Sequence, residues 1–432
     1  MLGETEAFIA LVEHQFAASG SWDMESLEAG LRAALLRDGC RILEALFNQP
    51  GTLGAVQPVG QLHEVRSRQV RSLLGTFELQ RGYYQDGTGR AFPMDTLLGL
   101  TDSYTPGLTK LACRAAGTDG SYEEASQTLA LYAGVNIPAS QIRRLTEIIG
   151  PEVGAWSPKR EEPRSNQVPT LYVAADGTGV PMRKEETQGR KGRAEDGTAA
   201  TREIKLGCVF SSHGVDEQGH PARDPGTTTY LARFDNAEDF GSQLRQEARL
   251  RGLGKAQRSV FIGDGAHWIW NLARINFPGA IEILDFYHAC EHLGVLARAL
   301  WPEPKALLKL KQWIEDLRQN RLNKILAQAS SALPHHGPRK ETAQREIEYF
   351  KTNASRMTYA NFRQQGLFIG SGVVEAGCKT VIGKRTKQSG MFWRVPGAQH
   401  VLNIRCAVLG EIYDAFWDHR RKSEIQSLNL AA

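Results

Sequence analysis

Two aspartates stand where an unpaired charge would be costly. Asp176 follows the apolar, β-prone run 171–175, and Asp264 follows a second such run, 259–262. Short apolar runs bounded by turn residues are typical of buried strands. Gly177 and Gly179 after the first acid, and the glycines on both sides of the second, predict that each strand ends at its acid. A carboxylate in that position needs a hydrogen bond, a cation or a metal ion.

A third acid, Glu375, lies on a predicted helix after a turn that contains Gly370 and Gly372. Two aspartates at strand ends and a glutamate on a later helix can meet at one point, and Mg²⁺ prefers such oxygen ligands. Taken singly, each aspartate is more typical of a capped strand end than of a metal ligand, and Glu375 could be a residue of a helix surface. The three-part pattern favours a metal site.

The composition is that of a globular protein with more than one domain. The chain has 432 residues, 41% hydrophobic and 23% charged, with a net charge of +4 that does not decide its partners. None of the six cysteines forms a C-x-x-C pair, which argues against a zinc ribbon and a secreted disulfide scaffold. With no signal-peptide pattern and no apolar run near ~20 residues, we expect a cytoplasmic protein without a membrane partner.

The N-terminal part is predicted to be helical at 4–18 and 24–47. Residues 65–84 alternate as in a β-hairpin with a turn at Gly75, and their arginines fit either contact with a nucleic acid backbone or a solvated charged face. Residues 120–150 outline a helix-turn-helix, or a plain α-hairpin, in which Ser121 and Glu124 form a capping box and Ser140 can cap the second helix. In the first case DNA would face Gln141, Arg143 and Arg144.

The rest of the chain alternates strands and helices. The predicted order is strand, strand, strand, helix, strand, helix, strand, helix, which is the order of an RNase H-like α/β domain with a mixed five-stranded sheet. Residues 301–363 are predicted to be an all-helical insertion. The predicted domains are an N-terminal helical region (1–60), a β-hairpin and helix-turn-helix DNA-binding region (61–155), the first part of the catalytic core (168–300), the insertion (301–365), and the last catalytic helix with C-terminal helices (366–432).

Long stretches of the sequence resemble one family of enzymes. LYVAADGTGVP at 171–181, FIGDGAHWIWNLARINFPGAIEILDFYHACEHL at 261–293 and the segment 349–393 resemble bacterial insertion-sequence transposases of the DDE class, specifically the Kra-type group related to the Mutator-like superfamily. The resemblance implies that Asp176, Asp264 and Glu375 are the catalytic triad, and Asp285 with His288 matches a C/D-x-x-H signature. Relatives often carry a cysteine pair where this chain has QDGTG at 85–89, so no structural zinc is expected.

The resemblance implies a DNA transposase that cuts and joins insertion-sequence ends. Two Mg²⁺ ions ~4 Å apart would be held by the triad, with Asp176 bridging them and Mn²⁺ able to substitute. The expected partners are terminal inverted repeats, target DNA and a second copy of the chain, in a homodimer or higher oligomer at the bacterial nucleoid. The alternatives are an inactive transposase-derived DNA-binding protein and an RNase H-like nuclease without strand transfer.

Other residues are predicted to support this site. His288 would contact the scissile phosphate or orient an acid, or would simply be a hydrogen-bonded core histidine, and Asp285 would support the site structurally. Trp268 is expected in the core with Trp270. Phosphate contacts are expected from the basic residues around the last acid, which Trp393 interrupts: Lys379 (or a pair of Lys379 with Glu375), Lys384, Arg385, Lys387 and Arg394.

Overall fold

A computed structural model describes residues 3–19, 21, 23–49, 61–86, 89–160, 168–192 and 199–431. The chain divides into two compact units, Met1–Ile149 with Tyr413–Ala432, and Gly150–Ile412. The units divide at Ile149 and Gly150, a few residues before the predicted end of the DNA-binding region at 155. Residues 50–60 and 161–167, near two of the predicted domain boundaries, lie outside the described residues.

The last helix, Tyr413–Ala431, groups with the first unit, whereas the sequence analysis placed it in one region with the rest of 366–432. Its contacts explain the grouping. The Tyr413 hydroxyl donates to the Lys110 carbonyl at 2.8 Å, and Asp414 forms ion pairs with Lys110 and Arg114. Sequence order alone gives no sign of such a return to the N-terminal unit.

The first unit combines helices with a β-hairpin. The predicted β region is confirmed: β1 (Gln61–Ser72) and β2 (Gly75–Asp86) pair antiparallel across a turn before Gly75, and β3 pairs with β2. The remaining elements are α1 (Gly3–Ser19), α2 (Met24–Phe47), β3 (Gly89–Ala91), α3 (Pro93–Leu97), α4 (Pro106–Thr118), α5 (Tyr122–Thr128) and α6 (Ala139–Trp156).

Two of the hairpin arginines are used inside the unit. Arg68 and Arg81 both pair with Asp95, and the guanidinium of Arg81 is buried 3.8 Å from the centre of the Phe92 ring. Arg81 is therefore not available on the surface of the hairpin, whereas contact of the partly exposed Arg68 with a nucleic acid backbone stays a prediction. Arg66, which is half exposed, remains on the surface of the hairpin.

The predicted helix pair is present. The Ser121 hydroxyl accepts the Glu124 N–H at 2.9 Å, and the Glu124 carboxylate accepts the Gly120 N–H at 2.7 Å, which is the reciprocal pattern of a capping box. A π turn (Leu129–Ala133) extends α5. The second helix, α6, begins at Ala139, so Ser140 lies inside it instead of capping it.

The second unit contains the predicted mixed five-stranded sheet. Its strand order is β10-β9-β4-β5-β8, with β4, β5 and β8 antiparallel and with β9 and β10 added in parallel. The strands are β4 (Val168–Pro181), β5 (Thr201–Ser212), β8 (Thr229–Arg233), β9 (Ala256–Gly263) and β10 (Ile281–Leu284), and a small hairpin, β6 (Gly214–Val215) with β7 (Pro221–Ala222), lies between β5 and β8. The parallel pairs are joined through helices, as a parallel arrangement requires.

Helices accompany this sheet, and the segment predicted as an insertion is helical. The helices are α7 (Lys184–Thr187), α8 (Ala237–Leu250), α9 (His267–Asn276), α10 (Phe286–Leu300), α11 (Lys305–Arg318), α12 (Leu322–Ser331), α13 (Pro338–Thr352), α14 (Tyr359–Gln364), α15 (Gly372–Gly377), α16 (Lys384–Thr386) and α17 (Val395–Leu409); the last helix of the chain, in the first unit, is α18. Ile347 and Phe350 of α13 are buried in the same hydrophobic cluster as the strands. No helix in the described ranges is long and apolar enough to cross a membrane.

Helix α15 lies against the sheet at a glycine. A Cβ at Gly377 would lie 2.9 Å from Cδ2 of Leu206 on β5 and 3.2 Å from the ring of Tyr230 on β8. Both distances are shorter than ordinary carbon contacts, so a residue without a side chain is needed for this approach. The contact sets the position of Glu375, two residues earlier on the same helix.

We expect Gly377→Ala to destabilise the protein by about 1–3 kcal/mol, the usual cost of overpacking a core. The matched control is Gly372→Ala on the same helix, where an added Cβ would meet nothing within 4 Å. That variant should be neutral or slightly stabilising, since alanine favours helix more than glycine does. Urea denaturation of the three proteins measures the difference, and equal midpoints for the two variants would contradict the role given to Gly377.

Candidate active site

Asp176 lies within β4 and not at its end. The predicted strand end is wrong because β5 continues to pair through both glycines, with Gly177 opposite Lys205 and Gly179 opposite Glu203. The parallel register with β9, however, stops at Ala174 opposite Ile262. Asp176 therefore stands just past the point where β4 and β9 separate, on a half-buried stretch of the strand.

Asp264 follows the last residue of β9, as predicted. Its carboxylate accepts the Ala266 N–H at 2.9 Å, which turns the chain toward α9. The intervening Gly265 has φ +99°, and a Cβ there would lie 2.5 Å from the hydroxyl oxygen of Tyr349. That hydroxyl donates to the Asp264 carbonyl at 3.2 Å, so a residue of the helical insertion fixes the backbone that carries the second acid.

Glu375 lies on a helix, α15, as predicted, and its side chain is exposed. Its Oε1 accepts the Ser371 hydroxyl at 2.8 Å, across one turn of the helix start. The α-helix ends at Gly377, and a π turn, Cys378–Gly383, carries the chain onward. The third acid is thus held by its own helix start and by the close contact of Gly377 with β5.

Asp285 connects the segments that carry the last two acids. It is 0% exposed. Its carboxylate accepts the His288 N–H at 2.6 Å, which caps α10, and the backbone N–H of Ser371, which begins the α15 turn. Its own N–H donates to the Gly263 carbonyl at 2.8 Å, directly before Asp264. This position fits the prediction that Asp285 supports the site.

The three acids lie close enough for their charges to affect one another. The pKa of Asp176 is raised, first by burial and further by the negative charges of Asp264 and Glu375. Hydrogen bonds from the Cys378 thiol and the Gly177 N–H oppose the rise. The pKa of Cys378 is raised in turn by burial and by the charge of Asp176. Three carboxyl groups separated by up to 199 positions along the chain therefore influence one another in the folded protein.

The three acids are near one another, but their side chains do not converge on one point as the ligands of a bound metal ion would. Within the part of the chain that the structure describes, no three acidic, histidine or cysteine side chains form a group that could hold one metal ion. Glu375 is turned toward Ser371, whose hydroxyl donates to its Oε1. The donor chemistry still fits a hard divalent ion, because all three groups are carboxylates.

His288 and the tryptophans are placed by packing. The ring of His288 is partly buried and meets His292, which leaves the expected phosphate contact a prediction. Trp270 is buried in the core and Trp268 packs against it, as predicted. Trp393 also packs against this core, and its indole N–H donates to the Thr386 carbonyl at 3.1 Å.

Most of the basic residues after Glu375 that are predicted to contact phosphate are exposed, and one of them is buried. Lys387 donates to the Thr178 hydroxyl at 2.6 Å, only two residues from Asp176. Lys379, Lys384 and Arg394 are exposed. Arg385 is 0% exposed, with its guanidinium 5.2 Å from the centre of the Trp393 ring. A phosphate contact by Arg385 is therefore excluded in this fold; the α16 turn faces its side chain inward.

The residues predicted to face DNA in the first unit lie near the start of α6. Gln141 is half-buried, whereas Arg143 and Arg144 are exposed. Arg144 forms an ion pair with Asp102 at 2.8 Å, and Arg143 lies 3.8 Å from Glu147 one turn later. Contact of these three side chains with DNA stays a prediction.

Several residues around the site were not singled out from the sequence. Ser371 and Cys378 flank Glu375 and touch the triad, and Tyr349 comes from the insertion. The pair His292 and Glu346 joins α10 to α13 with 2.5 Å between Nδ1 and Oε2. Of these, only His292 carried a sequence signal, since it follows His288 by four residues and so shares its helix face.

Comparisons with known proteins give a family. A family model described as an uncharacterised protein family, UPF0236, matches residues 59–415. No curated protein matches the sequence. Among solved structures, the chain is similar to the Drosophila P element transposase strand transfer complex, with 10% sequence identity over 73% of this chain and 81% of that chain and a TM-score of 0.26. At this TM-score the likeness carries no conclusion about fold or activity.

Asp176→Asn should stabilise the protein at neutral pH. Because its pKa is raised on folding, the charged carboxylate lowers stability at neutral pH, and this penalty is relieved as the pH falls through the raised pKa. Asparagine removes the charge and can still accept hydrogen bonds. Thermal unfolding at pH 7 and pH 5 should show a gain over the parent protein that shrinks at the lower pH; a gain independent of pH would contradict this account.

Asp285→Asn should loosen the start of α15. An amide can accept one of the two N–H groups but turns its own donors toward the other, and a buried unsatisfied group costs about 1–3 kcal/mol. Hydrogen exchange should therefore speed up at residues 371–377. Asp23→Asn is the matched control, since Asp23 caps α2 at an exposed position and asparagine caps as well as aspartate. Unchanged exchange in Asp285→Asn would refute the connecting role.

Proposed function

The chain belongs to the UPF0236 family, and we propose that it is a DNA transposase that cuts and joins the ends of its element with a DDE site of RNase H type. The sequence resemblance to Kra-type transposases supports this proposal, as does the mixed five-stranded sheet. The observation that carries it is the register of β4 and β9: Asp176 stands just past the point where these parallel strands separate, and Asp264 directly follows β9. Burial, and after it the charges of Asp264 and Glu375, raises the pKa of Asp176. Carboxylates that repel one another in this way are suited to binding divalent cations.

Mg²⁺ fits the donor set, and Asp176, Asp264 and Glu375 would hold it. When bound, the ion would activate the attacking oxygen and stabilise the leaving oxygen of a phosphodiester. The chain's own groups have separate tasks. Asp285 holds the turns that carry Asp264 and Glu375, and the Cys378 thiol donates to Asp176 and helps to orient it.

Lys387 is the basic residue best placed to bind the DNA backbone at this site. Its ammonium group lies 2.6 Å from the Thr178 hydroxyl, on the strand that carries Asp176, and its side chain is exposed. A cation there would neutralise a phosphate brought to the acids. Lys379, Lys384 and Arg394 are exposed on the same part of the chain and would extend the contact along the backbone.

The test is Mg²⁺-dependent nicking of plasmid DNA that carries the segments flanking the element's coding region. Asp176→Ala should lower the rate by about 10²–10³-fold, because losing several kcal/mol of transition-state stabilisation has an effect of that size. Glu217→Ala, an exposed acid in the small β6–β7 hairpin, is the control and should nick at the parental rate. Equal nicking by Asp176→Ala and the parent would refute the acid-site assignment.

Two further measurements separate the proposal from its alternatives. Joined DNA products identify strand transfer, whereas nicked products alone indicate a nuclease. DNA binding without nicking, and without thermal stabilisation by Mg²⁺, indicates a protein that keeps the fold but not the activity. Mg²⁺ stabilisation that disappears in Asp176→Ala supports the site independently of any DNA sequence.

A further inference from the structure

Two histidines on α10 face each other beside the acidic site. His288 and His292 are four residues apart, so they project from one face of the helix. Their Nε2 atoms are 3.2 Å apart, and both side chains are partly exposed, at 33% and 26%. This spacing is the one that lets a helix offer two imidazoles to one metal ion.

The outer nitrogens of both rings face carboxylates. Nδ1 of His292 lies 2.5 Å from the buried Glu346 of α13, and Nδ1 of His288 lies 3.5 Å from Glu291. A carboxylate fixes the proton of a histidine on the nitrogen that faces it, which leaves the lone pair on the other nitrogen. The Glu346 carboxylate fixes the His292 proton in this way, so Nε2 of His292 presents a lone pair to Nε2 of His288. Either a proton on His288 or a metal ion can lie between these two nitrogens.

We propose that His288 and His292 bind one transition-metal ion of the Zn²⁺ class. With Zn–N bonds of ~2.05 Å, nitrogens at this separation enclose an angle of about 100°, close to tetrahedral. The proposed site is distinct from the acidic one, since imidazole nitrogens prefer Zn²⁺, Co²⁺, Ni²⁺ or Cu²⁺ and carboxylates prefer Mg²⁺. No third protein ligand is present among the described residues, so oxygen ligands such as water complete the coordination.

The surroundings of the pair match those of metal-bound histidines. Glu346 is 3% exposed and is also held by Arg345, so it is a fixed acceptor for the His292 Nδ1–H. The His292 ring stacks on Tyr349 with centroids 3.8 Å apart, and the Tyr349 hydroxyl bonds the Asp264 carbonyl. An ion here would be held by two side chains of α10, and Glu346 of the insertion helix would orient one of them. The prediction of no structural zinc rested on missing cysteines and does not bear on these imidazoles.

Titration of the metal-free full-length protein with Co²⁺, followed by visible absorption, tests the proposal. It is done in the Asp176→Asn background so that the acidic site does not compete. We expect one equivalent with nitrogen ligands, displaced by Zn²⁺ and not by Mg²⁺. His288→Gln and His292→Gln should each abolish it. Glu346→Gln should weaken it by about 10–100-fold, the usual effect of losing a carboxylate behind a metal-bound histidine.

His220→Gln is the matched control, because His220 is an exposed surface histidine near Asp216, and it should bind Co²⁺ like its parent. His288→Gln leaves the His292–Glu346 pair intact, so a folding defect in His292→Gln cannot mimic the result. The competing possibility is a proton shared between the rings. Co²⁺ binding that survives in His288→Gln, or nitrogen resonances of the two rings that show a shared proton and do not change with Zn²⁺, would overturn the proposal.

Discussion

The buried carboxylate of Asp285 is the interaction on which the site depends. Each of its two oxygens accepts a backbone N–H, one from the start of α10 and one from the turn before α15. Its own N–H binds the residue before Asp264. A buried charge of this kind is tolerated only with such partners, and each partner lies on a segment that carries or precedes a functional group. Asp285 therefore links the segments that carry Asp264 and Glu375, while Tyr349 and the contact of Gly377 with β5 fix each segment further.

The acids are held near one another without a counter-charge between them. Asp176 is half-buried, and its hydrogen-bond donors, a thiol and a backbone N–H, are neutral. Neutral donors orient a carboxylate but do not cancel its charge, so the pKa of Asp176 stays raised, first by burial and then by the charges of Asp264 and Glu375. Among the residues that the structure describes, no lysine or arginine forms an ion pair with these three carboxylates. In the proposed transposase their charges therefore remain available to bind a cation.

The sequence predicted the parts of this site that depend on local pattern. The strand before Asp264, the helix of Glu375 and the capping residue Ser121 follow from apolar runs, glycines and spacing, and the structure has them. The prediction that the strand ends at Asp176 was wrong. Pairing with β5 continues the strand through Gly177 and Gly179, although glycines commonly end a strand. The prediction that Arg385 contacts phosphate was wrong as well. A run of basic residues does not show which of its side chains points into the core.

Contacts between distant segments could not be predicted from local pattern. The return of Tyr413 to Lys110, the approach of Gly377 to Leu206 and the bond from Tyr349 to Asp264 each join residues more than 80 positions apart. Nothing in the composition of either segment identifies its partner. The family resemblance supplied the triad, but the residues that support it, such as Ser371 and Tyr349, became visible only in three dimensions.

The helical insertion is not a replaceable appendage. Helix α13 contributes Ile347 and Phe350 to the core of the sheet, Tyr349 to the turn of the second acid, and Glu346 to His292. Residues on one helix thus serve packing, backbone geometry and electrostatics at once. If this segment were exchanged between relatives by recombination, α10 and the 263–266 turn would have to be exchanged with it. The insertion and these two segments must therefore evolve together.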